Sequence, residues 1–305
     1  MMRKNILITG ANGMLAKHLS KQLEDEYSIR FLTRKITQSN EYLWDINNNF
    51  IDPNALKGVH VIIHLAGSSV AENKWTKKRK QIILSSRIDS AHLILEELKK
   101  NKVTIDLFVS ASAIGYYGTT TTTDEIFTEE SQRGNDFLSN VCGKWEDVTH
   151  AFKSSKVANR IAIVRIGIIL AKNDGALKKI TEPIKYGLGI GIGTGKQYMP
   201  WIHIQDLCSI FNFIITNEHL NGIFNAVSPE HITNIELTKR IGKVLNRPIL
   251  LPNIPKFIIQ NLFGEKSIIL LNGSRVSSDK ITRSGFNFKF GDVNYALNNL
   301  LKQKK

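Results

Sequence analysis

The strongest chemistry in the chain stands near its start. In Ile6-Leu7-Ile8-Thr9-Gly10-Ala11-Asn12-Gly13-Met14-Leu15-Ala16, an apolar β-rich run passes through a glycine turn into a helical pattern. That strand–glycine–helix context is the one a dinucleotide pyrophosphate requires. Gly10 permits the tight turn, and Gly13 lets backbone N–H groups approach the anion. The positive end of the following helix then stabilises the bound charge. Ala16 stands where a third glycine often sits and still allows close helix–strand packing. Asn12, Met14 and Leu15 complete the residues expected around the phosphates.

The second apolar run bears on which dinucleotide fits. An acid at the end of this strand holds a ribose 2′-hydroxyl, whereas an arginine accommodates a 2′-phosphate. From Tyr27 to Asn40 no acidic residue occurs, and the run closes on Leu32-Thr33-Arg34-Lys35. Arg34 offers a planar fork for phosphate, and Thr33 and Lys35 add contacts. NADP is therefore the expected cofactor. No metal is expected, because the eight histidines show no HExxH-like spacing and Cys142 and Cys208 form no CxxC pair.

These residues need rigid elements to position them. Apolar runs at Asn5–Thr9, Ser28–Leu32, His60–Leu65, Asp106–Ser110, Arg160–Arg165 and Gly222–Ala226 alternate with amphipathic stretches. The latter are Leu15–Leu23, Ile82–Lys99, Asn140–Phe152 and Ile235–Leu245. Continuous apolar strands separated by helices indicate an α/β, doubly wound parallel sheet of the Rossmann kind. After Arg247 the rhythm changes at Pro248, Pro252 and Pro255, so the division expected is a cofactor-binding domain over 1–246 and a small, mostly helical lobe over 247–305. Thr119–Thr123 and the glycine-rich Gly187–Gly195 read as loops.

Composition narrows the function classes. The formal charge is +14, from 41 basic and 27 acidic residues, but the basic residues are scattered and not interleaved with aromatics. A nucleic-acid partner is not expected. No apolar stretch is long enough to span a bilayer, so neither a membrane partner nor a signal peptide is expected, and a cytoplasmic location follows by default.

Longer motifs carry a family resemblance over nearly the whole chain. They include Leu65-Ala66-Gly67, Trp75-Thr76 with Ser86-Arg87, and Ser110-Ala111-Ser112-Ala113-Ile114-Gly115-Tyr116-Tyr117-Gly118. Cys142-Gly143-Lys144-Trp145-Glu146, Arg165-Ile166-Gly167-Ile168 and Pro200-Trp201-Ile202-His203-Ile204-Gln205-Asp206-Leu207 continue the series. The sequence resembles the atypical, epimerase-like and cell-division-inhibitor-like subgroup of the short-chain dehydrogenase/reductase family, within the NAD-dependent epimerase/dehydratase group. Its segment Arg247–Phe290 resembles the small C-terminal domain of that subgroup. The resemblance implies that Asp45 lies near the adenine and that Leu65, Ala66 and Gly67 line the cofactor. It further implies that Arg87 reaches the cofactor from the place of a structural asparagine, that Ser110 lies close by, and that Ile169 packs near the nicotinamide. It also makes the His203–Asp206 segment a strand-to-helix turn, with Asp206 capping Leu207–Thr216.

The active site is where the chain departs from the family. Typical members use Ser with Tyr-x-x-x-Lys, the lysine depressing the phenol's pKa. Alignment on Glu146 puts Leu138 at the tyrosine position and Cys142 at the lysine position, while Ser112, with Ser110 as its neighbouring alternative, stands at the serine position. Ser112 is the expected catalytic hydroxyl, with Tyr116 or Tyr117 as proton source, although an ordinary phenol is a weak acid without a cationic neighbour. Cys142 reads either as a reactive thiol or as a small buried hydrophobe. The expected function is an NADP(H)-dependent, epimerase-like oxidoreductase acting on a small molecule, with oligomerisation open. A catalytically silent NADPH-binding regulator or sensor is the alternative.

Overall fold

The apolar runs pair side by side because each must be covered on both faces. The computed structural model describes residues 3–119 and 125–302. Its strands are β1 (Asn5–Thr9), β2 (Ser28–Thr33), β3 (Glu41–Asp45), β4 (Phe50–Ile51), β5 (Val59–His64) and β6 (Ile105–Ala113). They continue as β7 (Ile126–Phe127), β8 (Ala158–Ile166), β9 (Ile168–Ala171), β10 (Trp201–His203), β11 (Gly222–Ala226) and β12 (Arg275–Val276). The main sheet runs β11-β8-β6-β5-β1-β2-β3-β4. Every pairing in it is parallel except β4 against β3. β1 lies between β2 and β5, where the winding reverses, and doubly wound sheets open their ligand crevice at that point.

The helices are α1 (Met14–Leu23), α2 (Lys77–Lys100), α3 (Phe137–Ser154), α4 (Gly175–Lys185) and α5 (Ile204–Thr216). In the C-terminal half follow α6 (Asn234–Val244), α7 (Lys256–Phe263), α8 (Ile268–Leu271), α9 (Asp279–Arg283) and α10 (Val293–Leu301). Strand alternation sorts them. Ile6, Ile8, Val109 and Val164 face Leu19 of α1 and Phe211 of α5, while Leu7, Ile62 and Phe108 face Leu98 of α2 and Phe152 of α3. A further core joins Leu170, Leu177, Trp201 and Leu237 to Phe290 and Leu297, so the smaller lobe draws on both sides of position 247.

One expected cap is corrected. α5 begins at Ile204, two residues before Asp206, and His203 caps it by accepting from the Gln205 N–H at 3.1 Å. Asp206 lies inside the first turn, where its carboxylate accepts the backbone N–H groups of Lys289 (3.1 Å) and Phe290 (2.8 Å). It thereby fastens the C-terminal segment to the sheet domain. Of the expected threonine loop, Thr119 bends toward Asp136, whose carboxylate accepts its N–H at 2.8 Å, and the rest lies outside the described residues.

Candidate cofactor and active site

The glycine turn is shaped for an anion. Gly10 has φ +75°, and a Cβ there would stand 3.0 Å from the Leu65 carbonyl oxygen, so both conformation and space demand glycine. The Gly13 N–H donates to the Gly10 carbonyl at 2.8 Å. Gly13 then opens α1 with no side-chain cap and no acid in the first turn. The first N–H groups of a helix have no intrahelical partner, and here no carboxylate competes for them. Asn12, Leu65, Ala66 and Gly67 line the adjoining cleft. Met14 and Leu15 pack into the core behind it.

Two buried residues that the sequence reading missed fix the floor of this cleft. The Thr9 hydroxyl accepts the N–H groups of Leu65 and Ala66, both at 3.0 Å. Its own proton therefore goes to His64 Nδ1, 3.0 Å away. That assigns the proton of the imidazole to Nε2, which faces the Ser90 hydroxyl at 3.2 Å and the Arg87 carbonyl at 3.4 Å. Burial holds the His64 pKa down at about 4, so the ring is neutral. The end of β5 is thus locked to the end of β1. A Thr and a His closing two apolar strands was the available signal.

Beside the ends of β2 and β3, Thr33, Arg34, Trp44 and Ile46 line the cleft. The Thr33 hydroxyl donates to the Lys35 carbonyl at 3.0 Å and shapes the turn. Arg34 is exposed and makes no hydrogen bond or ion pair among the described residues. The carboxylate of Asp45, the residue expected near the adenine, accepts the N–H groups of Asn47 (2.9 Å) and Asn48 (3.3 Å) and the Asn48 side-chain amide (2.7 Å). It closes its own turn, and its neighbours Trp44 and Ile46 meet the cleft instead. Arg87, expected to reach the cofactor, packs against the Gly67–Ser68 stretch of the cleft wall. A Cβ on Gly67 would stand 2.9 Å from its Cζ, and its Nη1 donates to the carbonyls of Ser68 (3.0 Å) and Ile83 (2.8 Å).

At the end of β6 the candidate catalytic residues enter a buried polar network. Ser112 pairs in register with Arg165 of β8 and donates to Glu146 Oε1 at 2.6 Å. Arg165 grips the same carboxylate through both oxygens, Nε to Oε1 at 2.9 Å and Nη2 to Oε2 at 2.8 Å. Arg165 Nη1 also donates to the Tyr117 hydroxyl at 3.0 Å, which in turn donates to Asn225 Oδ1 at 2.6 Å. Burial pushes the Tyr117 phenol up to about 12. The Tyr117 proton is thus both weakly acidic and already given to Asn225. The Tyr116 ring lies 3.4 Å from the Arg165 guanidinium carbon, and its hydroxyl makes no hydrogen bond among the described residues.

Leu138 and Cys142 stand one turn apart on α3, and both face Gly115. Burial, with the Glu146 charge second, pushes the Cys142 thiol up to about 12, which favours the reading as a buried hydrophobe. Ser110 is buried, its hydroxyl turned onto the Ala111 carbonyl at 3.0 Å. Ile169 pairs with Ile202, and its carbonyl lies beside Gly175, which also meets the Met14 side chain. A separate large cavity lies at the N-terminal edge of the strands between Lys4, Lys153 and Arg160. There Lys153 is bound to the Asn159 carbonyl and Arg160 to those of Ile214 (2.9 Å) and Leu220 (2.5 Å), so it presents no open anion fork. Among the described residues, no cluster of His, Cys, Asp or Glu could hold a metal ion, and no helix is long and apolar enough to cross a membrane.

Residues 6–226 match the NAD dependent epimerase/dehydratase family, and residues 254–300 match a domain of unknown function. The chain belongs to the epimerase/dehydratase family. Within it, epimerase family protein YfhF of Bacillus subtilis is 31% identical over 307 residues, covering 99% of both chains. The chloroplastic SDR39U1 homolog of Arabidopsis thaliana is 31% identical, covering 97% of this chain and 86% of its own. Among solved structures, human epimerase family protein SDR39U1 with NADPH superposes with TM-score 0.86 at 25% identity, covering 97% and 98%.

Proposed function

We propose that this chain is an NADP(H)-binding, epimerase-like oxidoreductase acting on a small molecule. The observation that carries it is the uncapped start of α1 beside an uncommitted Arg34. An anion-seeking helix end and a planar cationic fork on one cleft suit a pyrophosphate and a 2′-phosphate on one ligand. The NADPH in the human relative supports the same reading. When bound, the cofactor supplies hydride exchange at its nicotinamide. The chain's own residues orient it, and Tyr116 Oη is the group free to pass a proton to a substrate oxygen. Arg165, fixed by Glu146, lies against the face of that ring.

A second reading, a catalytically silent NADPH-binding sensor, is favoured by one observation. The Ser112 proton, which would polarise a substrate oxygen, is donated to Glu146. A screen of carbonyl compounds and sugar nucleotides distinguishes the two, with NADPH absorbance and product analysis as readouts. Product analysis is needed because an epimerase returns its hydride. Turnover that disappears in Tyr116→Phe supports the enzyme; tight NADPH binding without any turnover supports the sensor.

A further inference from the structure

Five large apolar side chains stand more than half exposed in two neighbouring segments: Tyr186 and Leu188, then Leu250, Phe257 and Leu262. The segments touch. Arg247 Nε donates to the Lys185 carbonyl at 3.2 Å, Ile192 bridges Ile254, and a Cβ on Gly189 would collide with Ile249. α7 follows directly, and of its apolar residues Phe257, Ile258, Ile259, Leu262 and Phe263, only Ile259 is buried. Phe257, Ile258 and Leu262 share the solvent side of α7 with Lys256, Gln260 and Asn261, and large apolar side chains so exposed mark a surface with a partner still to meet.

Charge selects that partner. From Leu237 to Gly264 the sequence has five basic residues (Lys239, Arg240, Lys243, Arg247 and Lys256) and no acid, and of the five Arg240 is paired with Glu230 at 2.6 Å. From Pro183 to Gln205 it has Lys185 and Lys196, again with no acid. The flanking acids are engaged: Glu236 in the Thr233 cap, Glu265 on Lys80 and Glu182 opposite Lys178. An isologous pair of these surfaces would bring like charges together, which disfavours a second copy of the chain. An extended anionic surface satisfies the lysines and the apolar side chains at once.

We propose that the surface formed by Tyr186, Leu188, Leu250, Phe257 and Leu262 docks on an anionic lipid bilayer. The expectation of no membrane partner followed from the absence of a spanning segment, and a surface that lies on a bilayer needs none. The side chains at loop tips and on α7 enter the headgroup boundary, and the surrounding lysines and Arg247 meet lipid phosphates.

The test is co-sedimentation of the full chain with vesicles of phosphatidylcholine alone and of phosphatidylcholine mixed with phosphatidylglycerol. The protein should bind the mixed vesicles only, and added salt should weaken binding. Leu250→Glu with Phe257→Glu should lower the bound fraction by about tenfold, and Lys185→Glu with Lys256→Glu should lower it too. Unchanged melting temperatures confirm that these exposed substitutions leave the fold intact. Absence of binding, equal binding to both vesicles, or undiminished binding of the Leu250/Phe257 variant overturns the proposal. So does a dimer in light scattering that this variant dissolves, since that assigns the surface to a second copy.

Discussion

Ser112 donates its proton to Glu146 at 2.6 Å, inside the two-point grip of Arg165 on the same carboxylate. Ser112, the hydroxyl expected from the sequence to be catalytic, is therefore a member of the buried network that closes the strand ends. Ser112→Ala should lower unfolding stability by about 1.5–3 kcal/mol, the scale of a hydrogen bond to a charged group. Glu146→Ala should cost about 3–5 kcal/mol, because it leaves Arg165 buried without its counter-charge. Urea unfolding measures both. NADPH affinity of Ser112→Ala should stay near that of the wild type, since the phosphate cradle lies on other elements.

The two tyrosines should separate cleanly. Tyr117→Phe removes the partner of Asn225 Oδ1 and of Arg165 Nη1, both buried, and should cost about 1–3 kcal/mol of stability. Tyr116→Phe should leave stability nearly unchanged and remove whatever turnover the wild type shows. Thermal unfolding and product analysis of the two variants check this, and equal stability loss in both would contradict the assignment.

Acid should destabilise the protein through two neutral, buried imidazoles. Burial holds His64 and His203 at about 4, below the ordinary histidine value of about 6.5. Above that ordinary value both folded and unfolded chains are neutral, and the contribution is fully present. As pH falls toward 4 the unfolded chain takes protons first, so stability falls by about 1.4 kcal/mol per unit for each group. Urea midpoints should drop between about pH 7 and about pH 5, with a shallower drop in His64→Gln. A flat profile would show that these rings are not held neutral.

Both cysteines should be inert in the folded protein. Cys142 and Cys208 are buried, and burial pushes each thiol up to about 12. A thiol-reactive dye at neutral pH should label neither until the chain is unfolded. Rapid native labelling of Cys142 would restore its reading as a reactive thiol.

The sheet was legible because parallel strands covered on both faces need continuous apolar runs, and six such runs became β1, β2, β5, β6, β8 and β11. α2 starts at Lys77, five residues before the expected Ile82, because its first turn is Lys77-Lys78-Arg79-Lys80 and its signal is the Thr76 cap, not apolar period. The glycine turn and Arg34 were readable because their chemistry is local. Thr9–His64 and Ser112–Glu146–Arg165 were not, since each joins residues far apart in the chain. Their trace is a polar residue amid apolar periodicity, such as Arg165 within a β run or Glu146 on the buried face of α3. Such a group implies a buried partner without naming it.

The account rests most directly on cofactor preference. Isothermal titration of the wild-type chain with NADPH and NADH, repeated on Arg34→Ala, measures it. NADPH should bind the wild type more tightly than NADH, and Arg34→Ala should weaken NADPH by about 1.5–3 kcal/mol while leaving NADH nearly unchanged. Equal affinities in the wild type, or an Arg34→Ala variant that keeps its full preference for NADPH, would contradict it.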